Sequence, residues 1–223
     1  MTTELRRGFH DDLAALHALV GEMADIVVEG IRNATTALLE GDSGAAEAVV
    51  AADGRVDEAY EGVETLVAEL VARQSPVARD LRFLIATLRV AQSLERAGDL
   101  VASIARRASR VERAALTPAV RSLVYEISGE SEAVLRAAAR SYAVLDGELA
   151  SAVRDDDDRV DDLHRRLMRE LVTAPGGSVE STVELALVAR FYERIADHGV
   201  VVAERVRFVS SGAMEAGDHD ETT

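Results

Sequence analysis

The amino-acid sequence predicts an all-α protein whose six long helices form two tandem, pseudo-symmetric three-helix bundles. Three observations lead to this prediction. Pro, the strongest helix breaker, occurs only three times in 223 residues. Hydrophobic residues make up 48% of the chain but aromatic residues only 4%, a composition typical of helices rather than sheets. Short motifs of the first half also return in the second half at nearly constant spacing.

Cap and turn residues bound the predicted helices. Ser75-Pro76 ends the second helix, because the residue before a proline is disfavoured in the α region. Thr117 is a favourable N-cap, and Pro118 suits the first helical position. Apolar residues at helical spacing then predict helices over residues 9–40, 45–74, 77–109, 118–145, 147–173 and 179–210.

Two motifs carry the duplication. The segment Asp53-Gly-Arg-Val-Asp57 returns 104 residues later as Asp157-Asp-Arg-Val-Asp161. The segment Glu95-Arg-Ala-Gly-Asp99 returns 98 residues later as Glu193-Arg-Ile-Ala-Asp197. A repeated unit of this size explains the length better than one irregular domain.

The prolines and the C-terminal segment complete the predicted organisation. Pro76 and Pro175 occupy equivalent hairpin turns. One bundle is therefore predicted over residues 1–112 and a second over residues 113–211. Residues 212–223 are small and acidic and are expected to be disordered.

Composition excludes several classes of protein. The 40 acidic residues outnumber 25 basic residues, all of them Arg, and the formal net charge is −15. Such a balance argues against direct nucleic-acid binding, which needs a basic surface. The absence of Cys excludes disulfides and thiolate metal sites. No apolar run approaches the roughly 18–20 residues that span a bilayer, and no signal sequence is evident, so a cytoplasmic location is expected.

The motif acids of the third and sixth helices lie in line with apolar residues. On a helical wheel, Glu95 and Asp99 continue the apolar stripe of the third helix, and Glu193 and Asp197 continue that of the sixth. These acids are therefore expected to face the core, where unpaired carboxylates are costly. The third-helix stripe consists of Leu81, Leu84, Ile85 and Leu88, and the sixth-helix stripe of Val179, Val183 and Ala186.

Counting residues from the hairpin turns predicts that four acids converge in each bundle. Asp57 precedes Ser75 by 18 residues and Glu95 follows it by 20, so an antiparallel pair brings them to one height. The second hairpin repeats this register in a shorter form. The expected clusters are Asp53, Asp57, Glu95 and Asp99 in the first bundle and Asp157, Asp161, Glu193 and Asp197 in the second.

Clustered carboxylates favour a bound cation. Carboxylates brought together raise each other's pKa unless a cation neutralises them. Oxygen ligands suit Mg, Mn, Fe or, less well, Zn, and bridging carboxylates can hold more than one ion. In the alternative interpretation these acids are solvated and are neutralised by neighbouring arginines, namely Arg55, Arg96, Arg159 and Arg194.

Four segments resemble the PhoU family of bacterial phosphate-uptake regulators over nearly the whole chain. They are Asp53-x-x-Val-Asp57, Gln74-Ser-Pro-Val-Ala-x-Asp80-Leu-Arg82, Leu94-Glu-Arg-Ala-Gly-Asp99 and Tyr192-Glu-Arg-Ile-Ala-Asp-His198. The resemblance implies two three-helix bundles and a multinuclear metal cluster on the paired acids. By position, the implied ligands are the eight acids of the two clusters.

The resemblance implies a non-enzymatic, cytoplasmic negative regulator of phosphate uptake and phosphate-starvation signalling. It would act on the ATPase subunit of a phosphate ABC transporter and on the cytoplasmic region of a sensor histidine kinase. Contact with the membrane would be through these partners, and effects on transcription would be indirect. A homodimer is expected because twofold dimers are the commonest oligomers. Two alternatives stay open: a metalloenzyme with a carboxylate site in a helical bundle, and a metal-free helical adaptor.

The five histidines contribute less to these expectations. His164 and His198 are expected to lie beside the acids in structural roles rather than as ligands. His10, His17 and His219 are expected to be solvated.

Overall fold

The computed structural model describes residues 2–174 and 176–211, with the side chains of residues 2–10, 74, 155 and 156 left aside. Six long helices account for nearly all of this part of the chain, which contains no β-strand. Two short 3₁₀ turns, Ala108–Arg110 and Arg113–Ala115, connect the third helix to the fourth. The helices are α1 (Thr2–Glu40), α2 (Ser43–Gln74), α3 (Ala78–Arg107), α4 (Pro118–Val144), α5 (Gly147–Thr173) and α6 (Val179–Ser211).

Side-chain caps start three of these helices, and each start lies within two residues of the predicted one. The Asp42 carboxylate accepts a hydrogen bond from the Ala45 N–H, and the Asp146 carboxylate accepts from the Glu148 and Leu149 N–H groups. The Thr117 hydroxyl accepts from the Val120 N–H at 3.3 Å, with proline at the first helical position. Each cap satisfies a backbone donor that the helix itself leaves unpaired.

Two bundles form as predicted, and they pack on each other. Helices α1, α2 and α3 contact one another, as do α4, α5 and α6. Helix α3 also packs along α6, and α1 packs along α4. The α3–α6 pair is antiparallel, because Arg107 at the end of α3 meets Glu184 near the start of α6. The buried apolar side chains of both bundles form one continuous core.

The apolar stripes predicted for α3 and α6 are wrong in part. Leu84 is fully buried, but Ile85 is 49% exposed and Leu81 lies at the surface as well. On α6, Val183 is 52% exposed and Val179 is more exposed still. The reason is that each helix packs against its own bundle and against the other bundle, so its buried face is broad and turned away from these residues.

His17 also departs from the prediction. Its ring lies 5.1 Å from the rings of Phe83 and Tyr142, at the junction of α1, α3 and α4, and burial lowers its pKa. The side chains of His10 and His219, the turn residue Pro175 and the C-terminal segment 212–223 lie outside the described residues. Within the described part of the chain, no helix combines the length and the apolar character needed to cross a membrane.

Candidate functional site

The first carboxylate cluster lies between α2 and α3. Asp53 and Glu95 are largely buried, with 14% and 20% of their side chains exposed, whereas Asp99 is half exposed. Burial raises the pKa of Glu95, and the charges of Asp99, Asp57 and Asp53 raise it further. Burial likewise raises the pKa of Asp53. The four predicted acids of the first bundle therefore lie close enough to act on one another.

Two arginines neutralise part of this first cluster. The Arg106 guanidinium donates a hydrogen bond to Asp53 at 3.1 Å and opposes the rise in the pKa of that carboxyl. Arg96 lies 3.5 Å from Glu95 and 3.8 Å from Asp99. Arg55, one of the neutralising residues considered from the sequence, instead pairs with Glu22 of α1.

The second cluster lies between α5 and α6. Burial raises the pKa of Asp157 to about 6, with further contributions from the charges of Asp197, Asp161, Asp158 and Glu193. The charges of Asp197 and Glu193 on α6 thus act on Asp157 of α5.

Arg190 is the arginine partner of the second cluster. It forms an ion pair with Glu193, whose side chain is only 13% exposed. Burial raises the pKa of Glu193 and of Asp197, and the charge of Arg190 opposes both shifts. Arg194 acts in the same direction on Asp197. The second cluster is therefore also part-neutralised from within the protein.

The histidines flank the clusters. His164 is half-buried, and its pKa is lowered by burial and by Arg190 and raised by Asp161. His198 is half-buried, and its pKa is lowered by burial and by the charges of Arg194 and Arg96. Because Arg96 belongs to α3 and His198 to α6, the two clusters lie at neighbouring heights on the α3–α6 pair.

The donor set fits a hard cation in kind and in charge. Each cluster offers four carboxylates on rigid helices, which are the ligands preferred by Mg²⁺, Mn²⁺ and oxygen-bound Fe. As the described side chains stand, however, no three His, Asp or Glu groups surround a common point. Arginines hold several of these carboxylates instead. A cation would therefore have to draw the carboxylates away from their guanidinium partners.

The sequence did not reveal two of these arginines. Arg106 lies seven residues after Asp99, two helical turns along the same face, and this spacing was the available signal. Arg190 lies three residues before Glu193, one helical turn away on the same face, and this spacing was again the available signal. The closest ion-pair partners of Asp53 and Glu193 are therefore arginines that lie outside the repeated motifs.

Fold and site together define a class: a duplicated all-α protein with one acidic cluster in each three-helix bundle. The PhoU domain model matches residues 20–108 and 124–206, one match in each bundle, and the chain belongs to the PhoU family. A relative named phosphate-specific transport system accessory protein PhoU homolog 2, from Mycobacterium tuberculosis, is 34% identical over 214 residues. That alignment covers 94% of this chain and 100% of the relative.

Further comparisons agree with this assignment. A relative from Caulobacter vibrioides, named phosphate-specific transport system accessory protein PhoU homolog, is 32% identical and covers 95% of this chain and 94% of its own length. The crystal structure of PhoU from Pseudomonas aeruginosa has a TM-score of 0.86 and 28% identity, covering 92% of this chain and 100% of that one. The relatives are named accessory or regulatory proteins rather than enzymes.

Proposed function

We propose that this protein is a non-enzymatic negative regulator of phosphate uptake and of phosphate-starvation signalling. Its targets in this proposal are the ATPase subunit of the phosphate ABC transporter and the cytoplasmic region of a sensor histidine kinase. The observation that carries the proposal is the end-to-end match to accessory proteins of the phosphate-specific transport system. The family model matches one range in each bundle, so the match extends over both repeats. The protein would act in the cytoplasm and affect transcription only through its partners.

Exposed apolar side chains support a role in binding partner proteins. Val77 and Ile85 are exposed where α3 begins, and Val179 and Val183 are exposed where α6 begins. These places are equivalent in the two repeats. Patches of exposed apolar side chains commonly mark protein-binding surfaces. We assign the α3 surface to the transporter ATPase subunit and retain a homodimer as the expected state of the free protein.

We also propose that the two clusters bind metal ions. The ligands would be Asp53, Asp57, Glu95 and Asp99 in the first bundle and Asp157, Asp161, Glu193 and Asp197 in the second. Convergence of the acids supports this proposal, because burial and mutual repulsion raise the pKa of the buried carboxyls. A bound cation would neutralise these charges and hold α2 to α3 and α5 to α6. Mn²⁺, Mg²⁺, Fe and Zn²⁺ all remain candidates.

The arginine pairs favour a second candidate, a metal-free helical adaptor. In this form the guanidinium groups of Arg96, Arg106 and Arg190 would be the permanent partners of the carboxylates. Elemental analysis of protein purified without chelator separates the two proposals. Metal in the wild type that falls on combining Glu95→Gln with Glu193→Gln supports the clusters as sites. Metal near zero in both proteins supports the adaptor.

Association with the transporter tests the regulatory proposal. Purified full-length protein is immobilised and incubated with the cognate transporter ATPase subunit at high and at low phosphate. We expect retention of the ATPase subunit at one phosphate level at least, and weaker retention by Ile85→Asp. Tyr125→Asp, at an exposed position on α4, is the matched control and should bind as the wild type does. Failure of the wild type to associate at any phosphate level contradicts the regulatory proposal.

A further inference from the structure

Each cluster contains an arginine from outside the repeated motifs that pairs with a largely buried carboxylate. In the first bundle Arg106 of α3 crosses to α2 and donates to Asp53 at 3.1 Å. In the second bundle Arg190 pairs with Glu193 within α6. Both guanidinium groups are about half exposed, so they can swing into solvent without burying a charge.

The two arginines do not occupy equivalent positions of the repeat. With the offset of 98 residues that relates the motifs of α3 and α6, Arg106 corresponds to Glu204 and Arg190 to Gln92. Glu204 pairs with Arg154 of α5 at 3.1 Å, so the sign of this interhelical pair is reversed in the second repeat. Gln92 instead accepts a hydrogen bond from Arg89. The guanidinium of each cluster therefore belongs to a different position of the repeat, although the acidic motif residues occupy matching positions.

We infer that Arg106 and Arg190 are internal counter-ions, each competing with a divalent cation for the carboxylates of its own cluster. This inference rests on the proposed metal binding. A cation needs the carboxylate oxygens of Asp53 or Glu193 against which the guanidinium now lies. Even after it leaves the carboxylate, a nearby guanidinium repels a divalent ion through Coulomb's law.

The expected effect is large enough to measure. A unit charge about 6 Å from a divalent ion in water-like surroundings changes its affinity by about tenfold. Removing the guanidinium should therefore raise the affinity of one cluster by about tenfold at low ionic strength. The gain should shrink as salt is added, because screening weakens the repulsion between partly exposed charges.

Mn²⁺ titration of the full chain, monitored by the electron paramagnetic resonance of free Mn²⁺, tests the inference. Glu193→Gln combined with Asp197→Asn disables the second cluster and isolates the first; Glu95→Gln combined with Asp99→Asn does the reverse. With only the first cluster active, Arg106→Gln should tighten Mn²⁺ binding and Arg106→Lys should leave it near the wild-type value. With only the second active, Arg190→Gln should tighten it and Arg106→Gln should not.

Charge-matched and reciprocal variants keep the test specific. Arg32→Gln removes one positive charge from the pair with Glu132, outside both clusters, and should not change either affinity. An equal gain in Arg32→Gln would overturn the inference, because the effect would then reflect net charge alone. Unchanged binding in both Arg106→Gln and Arg190→Gln would also overturn it while leaving the metal proposal in place. Absence of Mn²⁺ binding to the wild type would overturn both the counter-ion inference and the metal proposal. The regulatory proposal is tested independently, by association with the transporter ATPase subunit.

Discussion

The phenolic hydroxyl of Tyr192 on α6 lies 2.7 Å from the hydroxyl of Thr35 on α1, buried between the two bundles. Thr35 donates its only proton to the Ile31 carbonyl, so Tyr192 is the donor in this pair. A second such pair joins the bundles, because the hydroxyl of Tyr142 on α4 lies 2.9 Å from that of Thr87 on α3. The first bundle thus contributes both threonines and the second bundle both tyrosines, so each hydroxyl pair joins one bundle to the other.

Replacing Tyr192 with Phe should destabilise the protein by about 1 kcal/mol, the usual net value of a buried hydrogen bond. For a chain of this length the melting temperature should fall by about 2–4 °C. Tyr125→Phe, at an exposed position, is the control and should melt as the wild type does. An unchanged melting temperature in Tyr192→Phe would show that the hydroxyl pair contributes nothing to the interface.

Glu184 of α6 should be more sensitive than ordinary surface acids. It lies 3.2 Å from Arg107 and 3.4 Å from Arg110, and the Arg107 guanidinium carbon lies 4.8 Å from the centroid of Phe191. We expect Glu184→Gln to cost about 1–3 kcal/mol, because it removes a charged partner from a largely buried group. Urea unfolding measures this loss.

The matched control for Glu184 is Glu69, which forms an exposed pair with Arg73 at 3.8 Å. Glu69→Gln should change stability by less than about 1 kcal/mol. Equal losses in the two variants would mean that the Glu184 cluster has no special role in joining the bundles.

Two glycines should respond to alanine in opposite directions. A Cβ at Gly199 of α6 would lie 2.9 Å from Val134 Cγ1 and 3.3 Å from the Leu135 Cα of α4, so Gly199→Ala should cost about 1–3 kcal/mol. A Cβ at Gly129 would meet no atom within 4 Å, so Gly129→Ala should stabilise α4 by about 0.5–1 kcal/mol. Thermal melts of the two variants check both signs.

Asp157 should make stability depend on pH between about 4 and 7. Its folded pKa of about 6 lies above the value of 3.8 for an unperturbed Asp, so the folded state binds its proton more tightly. The resulting stabilisation is complete below the unfolded pKa and is lost as pH rises through the folded pKa. With chelator and at low salt, Asp157→Asn should therefore have a higher urea midpoint than the wild type at pH 7.5, the gap closing towards pH 4.

A control and a direct measurement accompany the pH experiment. Asp162 of α5 is exposed, and Asp162→Asn should keep the wild-type dependence of the urea midpoint on pH. Carboxyl NMR titration reports the pKa of Asp157 itself. A midpoint near 4 would contradict the crowding of carboxylates that the structure shows at this residue.

The helix ends and the register of the acids were predictable because they depend on local chemistry. Asp42, Thr117 and Asp146 cap their helices through their own side chains. Counting residues from a hairpin turn gives the height of each acid, because the rise per residue of an α-helix is fixed. Leu81 and Ile85 were misassigned because a helical wheel shows an apolar stripe without showing which neighbour covers it. The broad burial of α3 comes from packing against α6, which begins more than 70 residues after α3 ends.

The arginine partners were the least predictable part of the candidate site. Arg106 of α3 donates a hydrogen bond to Asp53 of the neighbouring helix α2, and Arg106 belongs to none of the repeated motifs. The role of the eight acids as metal ligands also stays a prediction, since proximity alone does not distinguish a cation from a guanidinium as their partner.

The continuous core of the two bundles has a thermodynamic consequence. Neither repeat can melt alone without exposing the apolar faces of α3 and α6 to water, so the chain should unfold as one cooperative unit. Calorimetry should then show a single transition whose van't Hoff and calorimetric enthalpies agree. Whatever binds one repeat, a cation or a partner protein, would thereby protect the other repeat from unfolding as well.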